Sequence, residues 1–252
     1  MNRILFEPGE LSGNTVTFGG VRAGHVLAVL HGEVGQTLKT GVVNGPVGTG
    51  VITAIAAGEV TVEVRHDSTA LAPWVDLVLA PPRPRILKRL LPQLAALGVG
   101  RIVLVGAKKV EKDFWGATLL KEENYRPLFI DGLVQAGTTA LPTLETRRHF
   151  RKFVTEELEE AFPTARRLVA HPYGGEEVEK KVEKLGGGGD GGGGGDERVL
   201  LAIGPEGGWT DEEVELMEAH GFRRYSLGPR ILRTDTATVA LLAQLMNTGG
   251  RV

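Results

Sequence analysis

Two loops marked by glycine and proline, towards the C-terminal end of the chain, hold the residues best suited to chemistry. They are Ile203–Gly208, with the sequence IGPEGG, and Leu227–Ala237, with the sequence LGPRILRTDTA. A glycine such as Gly204 lets the backbone approach a flat ligand closely, although a tight turn between a strand and a helix also explains it. Ile231 and Leu232 lie among polar neighbours in the second loop. Their position predicts apolar walls for a flat ligand.

The charged side chains of these loops suggest that an anion is stabilised there. Arg230 and Arg233 could each face a phosphate or a substrate oxygen, or they could simply pair with Asp235. Glu206 is a candidate base, but capping of a backbone turn explains it better. The six histidines form no i,i+4 pair and the chain contains no cysteine, so the sequence predicts neither a metal site nor a thiol nucleophile.

The elements around the loops must place them side by side. Val199–Ile203 is an apolar run typical of a buried strand, and Tyr225–Leu227 predicts another short strand. Between them, Thr210 and Glu213 have the spacing of a capping box, and Gly221 ends the predicted helix. Because open α/β sheets bind ligands at the ends of adjacent strands, we expect both loops to contribute to one site.

The composition of the chain changes near residue 70. Residues 1–70 are rich in glycine and valine and contain short alternating runs at Val26–Leu30 and Glu59–Val64, which predict a small antiparallel β-barrel. The proline-rich stretch Ala80–Pro84 then introduces alternating helices and strands. This alternation predicts a second domain, residues 71–252, of the α/β class with a parallel sheet.

The second domain contains further predicted elements and one glycine tract. We expect helices at Arg85–Leu97, Asn124–Gly137, Glu176–Leu185 and Thr236–Met246, and strands at Arg101–Val105 and Arg167–Ala170. The last helix is apolar nearly all round, as a buried or interfacial helix would be. Residues Gly186–Asp196 comprise nine glycines and two aspartates, which predicts a flexible loop. No Lys-Ser/Thr follows the tract, so it does not match a phosphate-binding P-loop.

The formal net charge of −2 conceals a segregation of charge along the chain. Residues 71–155 carry 14 basic and 7 acidic side chains, whereas residues 156–252 carry 11 and 18. The basic excess includes Arg83, Arg85, Lys88, Arg89, Lys108, Lys109 and Lys112. Such a cluster either contacts phosphates or forms a solvated helix face. There is no apolar run of 18 residues and no basic segment followed by an apolar stretch, so we expect no membrane span, no signal peptide and a cytoplasmic location.

The paired C-terminal motifs resemble those of the SPOUT-class RNA methyltransferases, specifically the RsmE-type family that methylates N3 of a uridine in 16S ribosomal RNA. MNRILF at Met1–Phe6, LGVGRIVLV at Leu97–Val105 and AHP at Ala170–Pro172 are also similar to segments of that family. The resemblance implies a PUA-like RNA-binding β-barrel followed by a trefoil-knotted SPOUT domain. It also implies a homodimer, with the closing helix at its interface, that acts on 16S rRNA in the 30S subunit.

The resemblance further implies S-adenosylmethionine (SAM) as the cofactor, and no metal. The expected cofactor-binding residues are Ala170, His171, Ile203, Gly204, Pro205, Gly207, Leu227, Gly228, Ile231 and Leu232. Of these, His171 could contact the cofactor or only pack in the fold. Arg233 matches an arginine of the family motif and is the expected catalytic residue, because a guanidinium would stabilise the anion that forms when uracil N3 loses its proton. The expected RNA-binding residues are Arg3, Arg83, Arg85, Lys88, Arg89 and Arg230.

Some positions depart from the family pattern. His31 follows Val29-Leu30 where an arginine is common, and Gln135–Thr138 and Gly106–Trp115 also differ from the usual form. These departures leave the target nucleotide less certain than the cofactor. Two alternatives therefore remain: the same chemistry on another RNA, or a non-catalytic RNA-binding or ribosome-assembly factor that has kept the fold. Retention of both C-terminal motifs argues against the second.

Overall fold

The described part of the protein contains two β-sheets. The structure, a computed structural model, describes residues 3–163, 165–172, 176–177 and 198–248. The strands are β1 (Ile4–Phe6), β2 (Thr15–Phe18), β3 (Thr37–Val42), β4 (Val47–Ala56), β5 (Glu59–Ser68), β6 (Val75–Leu79), β7 (Val99–Val105), β8 (Thr143–Arg147), β9 (Arg166–Ala170), β10 (Glu176–Glu177), β11 (Val199–Ile203) and β12 (Arg223–Ser226). The first five strands form one sheet, and the other seven form the second.

Helices connect the strands of both sheets. They are α1 (Gly20–Ala28), α2 (Pro84–Ala96), α3 (Glu122–Ala136), α4 (Phe150–Lys152), α5 (Leu158–Ala161), α6 (Asp211–Ala219) and α7 (Thr234–Thr248). A π-helical turn at Phe153–Glu157 joins α4 to α5, and short 3₁₀ turns lie at Pro8–Glu10, Lys112–Gly116 and Thr118–Leu120. Among the described residues, no helix is long and apolar enough to cross a membrane.

The five-stranded sheet has the order β1-β3-β4-β5-β2. In β5, Val60, Val62 and Val64 are buried at every second position, which confirms the strand expected at Glu59–Val64. The expected antiparallel barrel is wrong in part. β1 runs parallel to β3 while the other pairs are antiparallel, and β1 and β2 are the two edges of the sheet.

The run Val26–Leu30, expected to be extended, is helical in its first part. Residues 26–28 end α1, in which Ala23 and Val26 are both fully buried. Two apolar residues three positions apart share one face of a helix, and this face packs on the core of the small sheet. Val29, just past the helix, is 61% exposed. All five residues of the run are apolar, so its sequence did not distinguish a strand from a helix, and burial in the structure follows the helical period.

The seven-stranded sheet is parallel throughout and has the order β10-β12-β9-β11-β6-β7-β8. Every residue of β6 is buried, as expected for a central strand of a parallel sheet that is covered on both faces. This confirms the predicted α/β class and the predicted strands at Val199–Ile203, Arg101–Val105 and Arg167–Ala170, with shifts of one or two residues at their starts.

Helices pack on both faces of the large sheet and form two apolar clusters. On one face, side chains of α2, α3 and α7 pack against alternate strand residues such as Leu77, Leu201 and Ile203. On the other face, α4, α5 and α6 pack against the intervening residues, such as Val78 and Ala202. The layers thus follow from the alternation of side chains along each buried strand.

The helix predictions mostly agree with the structure. α2 buries Leu87, Leu90, Leu91 and Leu94, begins at Pro84 and corresponds to the expected helix at Arg85–Leu97. α3 is followed by Gly137, whose φ of 72° gives the left-handed backbone conformation that commonly ends helices. α7 is longer than the expected Thr236–Met246 by two residues at each end.

One predicted helix is contradicted where the structure describes it. Glu176–Glu177, the start of the expected helix Glu176–Leu185, forms the short strand β10 and pairs in parallel with Tyr225 and Ser226 of β12. Charge periodicity suggested a helix, but the free edge of β12 offers backbone hydrogen bonds to an extended segment. The rest of that expected helix and the glycine tract Gly186–Asp196 lie outside the described residues.

Backbone contacts join the region of the small sheet to the chain after α3. The Asn44 side chain accepts a hydrogen bond from the Leu141 N–H at 2.8 Å, and the Thr139 hydroxyl donates to the Gly45 carbonyl at 2.6 Å. The guanidinium of Arg3 donates to the carbonyls of Gly137, Thr40 and Gly48. Burial lowers the pKa of Arg3. The Nε and Nη1 donors of Arg3, a residue expected to bind RNA, are therefore used within the fold.

Candidate functional site

Three loops meet at the carboxyl ends of neighbouring strands. They follow β9, β11 and β12, which lie side by side in the large sheet. Together they form a cavity of about 420 Å³, within the usual size range of small-molecule sites. All ten residues expected to bind a cofactor line it: Ala170, His171, Ile203, Gly204, Pro205, Gly207, Leu227, Gly228, Ile231 and Leu232. Residues separated by more than fifty positions in sequence are thus brought into one site.

Apolar side chains form much of the cavity wall. Ile203, from the end of β11, and Leu241, from α7, are buried and belong to the core of the sheet. Ile231 and Leu232 line the opposite part of the cavity, where their side chains are 73% and 37% exposed. Removing exposed aliphatic side chains from water is favourable in free energy, so this wall is suited to a flat apolar group.

Glycine is required at two places in these loops. A Cβ atom on Gly204 would stand 3.0 Å from the backbone nitrogen of Trp209, a tight contact that the backbone there would have to relieve by a small shift. Gly228 has a positive φ of 100°, which residues with a side chain rarely adopt. Ser226 stabilises the second loop, because its hydroxyl accepts a hydrogen bond from the Gly228 N–H at 3.1 Å.

Few polar side chains face the cavity. Those that line it include Glu206, Asp211, Tyr225 and Arg230. Burial raises the pKa of Tyr225 above its usual value, so its phenol stays neutral and available as a donor. The backbone N–H of His171 donates to the carbonyl of Tyr225 at 3.1 Å, which fixes the start of the loop after β9. Recognition in this cavity therefore depends mainly on backbone groups and shape.

Several lining residues were not among the ten expected to bind a cofactor. Pro172, Glu206, Gly208, Thr234 and Ala237 lie within the predicted loops, whereas Trp209, Asp211, Tyr225 and Leu241 lie just outside them. Most are immediate neighbours of the expected residues, so the loop motifs already pointed to them. Ala237 and Leu241 are different, since they lie four residues apart in α7 and face the cavity from the helix. Their spacing was a signal of a shared helix face.

The two arginines of the second loop have different positions. Arg230 lines the cavity, whereas Arg233 is exposed and is not among the lining residues. The Arg233 carbonyl accepts the N–H of Ala237 in the first turn of α7. Asp235, the expected alternative partner of these arginines, instead forms an ion pair with Arg89 of α2 at 2.9 Å. Among the described residues, neither loop arginine has an ion pair of its own.

The basic cluster of α2 is exposed beside the cavity. Arg83, Arg85, Lys88 and Arg89 all lie on the surface. Arg83 pairs with Glu111 at 3.3 Å and Arg89 with Asp235, while Arg85 and Lys88 form no ion pair with any described residue. The Arg83–Glu111 pair is exposed on both sides and contributes little to stability, whereas Asp235 is more covered than its partner; both arginines remain accessible.

Two hydrogen bonds join the loop after β11 to the loops after β6 and β7. The carboxylate of Glu206 accepts the backbone N–H of Arg83 at 3.0 Å. The ammonium group of Lys109 donates to the Gly207 carbonyl at 2.7 Å. This geometry supports the expectation that Glu206 caps a backbone turn, although the turn lies in another loop.

Glu213 adds a third connection. Its carboxylate is 8% exposed and accepts the backbone N–H of Lys108 at 2.7 Å and that of Thr210 at 2.8 Å. The Thr210 hydroxyl in turn accepts the N–H of Glu213, which confirms the capping box at the start of α6. The helix that follows the first motif is therefore fixed both at its own N-terminus and to the loop after β7. Among the described residues, no group of histidines and carboxylates could hold a metal ion.

Comparison with known proteins identifies the family of this chain. Residues 70–246 match the family described as RNA methyltransferase domain. The ribosomal RNA small subunit methyltransferase E of Treponema pallidum is 31% identical over 98% of this chain and 91% of its own length.

Solved structures share the fold. A protein of Legionella pneumophila, determined with bound SAM, is 26% identical, with a TM-score of 0.74 over 97% of this chain and 96% of that one. The ribosomal RNA small subunit methyltransferase E of Neisseria gonorrhoeae, bound to SAM, is 21% identical, with a TM-score of 0.75 over 98% of this chain and 97% of that one. The chain therefore belongs to the RNA methyltransferase family, together with the relatives named ribosomal RNA small subunit methyltransferase E.

Proposed function

We propose that this protein uses SAM to methylate small-subunit ribosomal RNA, at N3 of a uridine in 16S rRNA. One observation carries the proposal: the two C-terminal motifs and the loop after β9 enclose a single cavity, lined by all ten residues expected to hold the cofactor. Membership of the RNA methyltransferase family and the similarity to the Treponema pallidum enzyme support the reaction and the class of substrate.

The residues of the cavity fit SAM in kind. The aliphatic side chains of Ile203, Ile231 and Leu232 would enclose the adenine, and Gly204 and Gly228 leave their backbone groups open to it. Polar groups are few, as suits a cofactor that is held largely by backbone hydrogen bonds. When bound, SAM supplies an electrophilic methyl group for in-line transfer to a nucleophile.

The remaining chemistry requires residues that position uracil and stabilise its anion. Removal of the N3 proton spreads negative charge over the two flanking carbonyl oxygens. A guanidinium presents paired donors to such a group, and both Arg230 and Arg233 belong to the loop that borders the cavity. We assign the catalytic role to Arg233 and an RNA-contacting role to Arg230. Neither role requires a covalent intermediate or a metal.

The proposal includes a domain organisation. Residues 1–70, which contain the five-stranded sheet, would form a PUA-like RNA-binding domain, and residues 71–252 a SPOUT domain with a trefoil knot. The parallel order of the large sheet and the gathering of three loops at its edge support the second assignment. The basic side chains of α2 face solvent beside the cavity and would contact RNA.

A homodimer is also part of the proposal. The buried face of α7 packs within the chain, where Leu241, Leu242 and Leu245 join the core, while Val239 remains only half-buried. The exposed Ile231 lies close to the start of this helix in sequence and is a further apolar side chain that a second subunit could cover. Such an enzyme would act in the cytoplasm, where its ribosomal substrate is found.

Two measurements test the proposal. Calorimetry should detect SAM binding to the purified protein, and incubation with 30S subunits should transfer a labelled methyl group that nucleoside mass mapping places on N3 of a uridine. Ribosomal RNA from a strain lacking the gene should miss the same modification. Methylation of a different RNA would support the alternative substrate. Cofactor binding or RNA binding without any methyl transfer would leave a ribosome-assembly factor as the better explanation.

A further inference from the structure

An aromatic cleft lies at the carboxyl ends of the strands of the large sheet, as the cofactor cavity does. The two are on opposite sides of the central strand β6. The cleft is lined by Pro84, Lys112, Asp113, Trp115, Gly116 and Arg148, and we refer to it as the Trp115 cleft. Its volume is about 630 Å³ and it is open to solvent. Lys112, Trp115 and Gly116 follow β7, and Arg148 follows β8, so the cleft lies at the carboxyl ends of these two neighbouring strands.

The tryptophan ring is held in place but is not buried. The neighbouring Phe114 is 4% exposed and meets the Trp115 ring edge-on, with centroids 5.4 Å apart. The guanidinium of Arg148 lies 5.8 Å from the centroid of the same ring. Arg148 is itself fixed at the backbone, because Gly106 packs so closely on its carbonyl that no Cβ atom would fit. The cleft therefore presents a partly exposed aromatic ring with a cation beside it.

A groove connects this cleft to the cofactor cavity. The groove, about 260 Å³ in volume, is lined by Pro82, Arg83, Lys109 and further residues of the loops after β6 and β7. It shares Glu206 and Gly207 with the cofactor cavity, and it shares Pro84 and Asp113 with the Trp115 cleft. The three concave surfaces thus adjoin one another in a row at the carboxyl ends of the strands.

The chemistry of this row of surfaces matches a single strand of nucleic acid. Arg83, Lys109, Lys112 and Arg148 line it, and phosphate groups repeat along a strand to meet such cations. An aromatic ring beside cations is the arrangement on which unpaired bases stack. Three acidic side chains also line the groove and the cleft: Glu111 pairs with Arg83, Glu206 is bonded to a backbone N–H, and Asp113 borders both surfaces. With the Arg83–Glu111 pair set aside, Lys109, Lys112 and Arg148 still outnumber Glu206 and Asp113 there.

We propose that the Trp115 cleft is the binding site for a nucleotide that flanks the methylated one. Its base would stack on Trp115, and Arg148 and Lys112 would contact the adjoining phosphates. The inference rests on the proposed function, because it assumes that the target base reaches the cofactor cavity from the same strand. It adds a site that would anchor the RNA at a distance from the reacting atoms.

Tryptophan fluorescence gives a direct readout. Trp74 and Trp209 are 7% and 6% exposed, but Trp209 lines the cofactor cavity, so quenching that is kept in Trp209→Phe and lost in Trp115→Phe reports a base on Trp115. Titration with a uridine-containing single-stranded oligoribonucleotide should quench the wild-type protein, and the quenching should be largely lost in Trp115→Phe. Trp115→Ala should raise the Kd for the oligoribonucleotide between about fivefold and a hundredfold, whereas Trp115→Phe should bind more tightly than Trp115→Ala.

Two further variants separate stacking from a loss of folding. Gly116 has no atom within 4 Å of where a Cβ would stand, so Gly116→Leu should fold normally and weaken RNA binding by filling the cleft. Arg148→Ala should reduce the slope of log K against log salt by about one, while the matched charge change Arg151→Ala, outside the cleft, should leave it unchanged. Calorimetric SAM binding should be equal to wild type in all these variants.

The outcomes distinguish this inference from the proposed function. Wild-type quenching that persists in Trp115→Phe, or a Kd for Trp115→Ala within about twofold of wild type, would overturn the Trp115 site even if 30S subunits are methylated. Quenching through Trp115 in a protein that transfers no methyl group would support the site and refute the enzyme. An equal response to Arg148→Ala and Arg151→Ala would also count against the site, since the effect would then be one of net charge only.

Discussion

The carboxyl edge of the seven-stranded sheet has two halves that differ in chemistry. The loops after β9, β11 and β12, the glycine-rich half, enclose the cofactor cavity with backbone and aliphatic groups. The loops after β6, β7 and β8, the basic half, present Arg83, Lys109, Lys112 and Arg148. Both halves stand on parallel strands of one sheet. The proposed separation of cofactor binding from RNA binding therefore depends on the loops, while the strands hold both sets of loops on one sheet.

This difference determines how each half should respond to substitution. Binding in the glycine-rich half depends on shape, so an added side chain should lower SAM affinity strongly, and this loss should not depend on salt concentration. Binding in the basic half depends on charge, so its effects should be graded and salt-dependent. Arg233 lies in a loop of the glycine-rich half, but its side chain is basic like those of the basic half. Substitution of Arg233 is therefore the most direct test of the difference between the two halves.

The largest expected effect is that of Arg233→Ala on methyl transfer. Loss of one preorganised donor to a developing anion typically lowers the rate by about a hundred- to a thousandfold. Single-turnover methylation of 30S subunits at saturating SAM should show a decrease of this size. Arg233→Lys should also be impaired, because it keeps the charge but loses the paired donors. SAM affinity should be unchanged, since Arg233 does not line the cavity.

Arg230→Ala provides the contrast for that experiment. Arg230 lines the cavity and is assigned to RNA, so its loss should raise the KM for RNA more than it lowers the single-turnover rate at saturating RNA. A rate for Arg233→Ala within about threefold of wild type would remove Arg233 from the mechanism. A large rate loss in Arg230→Ala alone would transfer the catalytic role to the arginine that the structure places at the cavity.

The next effect in size is that of Gly204→Leu on SAM binding. The first atom of any side chain here would stand 3.0 Å from the Trp209 backbone nitrogen, and the rest of a leucine would add volume at a position that lines the cavity. Forced overpacking costs about 1–3 kcal/mol, which corresponds to a Kd raised by about ten- to a hundredfold in calorimetry. Gly116→Leu, in the basic half, is the matched control and should bind SAM normally. Equal SAM binding by Gly204→Leu and wild type would place the cofactor elsewhere.

Much of this arrangement could be predicted from sequence because its signals are local. The apolar run Val199–Ile203 specifies a buried strand, and Thr210 with Glu213 specifies the start of the helix that follows. Strands that alternate with helices imply a parallel sheet, and a parallel sheet brings its carboxyl-end loops to one edge. The ten cavity residues followed from those rules and from the family resemblance.

What could not be predicted depends on contacts between distant residues. Glu206 bonds to the backbone of Arg83, 123 positions earlier, and no periodicity reveals such a pair. The same is true of Arg3, whose guanidinium is bound by carbonyls of other elements. Trp115 and Arg148 are 33 positions apart and meet only because β7 and β8 are neighbours. Local sequence signals predicted the strands and helices. The grouping of side chains in the basic half could be seen only in the assembled sheet.

A smaller effect is expected from Arg85→Gln combined with Lys88→Gln in α2. These two cations have no ion-pair partner among the described residues, so they are free to contact phosphates. Each lost contact should reduce the slope of log K against log salt for RNA binding by about one, with SAM affinity unchanged. Arg83→Gln combined with Arg89→Gln should change the slope less, because Glu111 and Asp235 already neutralise those two arginines. Identical slopes in both double variants and in wild type would identify the cluster as a solvated helix face.

The smallest expected effect tests the connection between the two halves. Glu206→Ala removes the acceptor for the Arg83 N–H, a bond whose net value is about 0.5–1.5 kcal/mol. For a chain of this size the melting temperature should fall by about 2–4 °C for each kcal/mol lost. Glu206→Gln keeps a side-chain oxygen in the same place, so it should retain most of the stability. Glu111→Gln alters the other carboxylate near Arg83, an exposed partner of its side chain, and should have almost no effect. If Glu206→Ala melts like wild type, the glycine-rich half is stable without this bond. If Glu206→Ala instead weakens both SAM and RNA binding while Glu111→Gln weakens neither, the two halves act as one site.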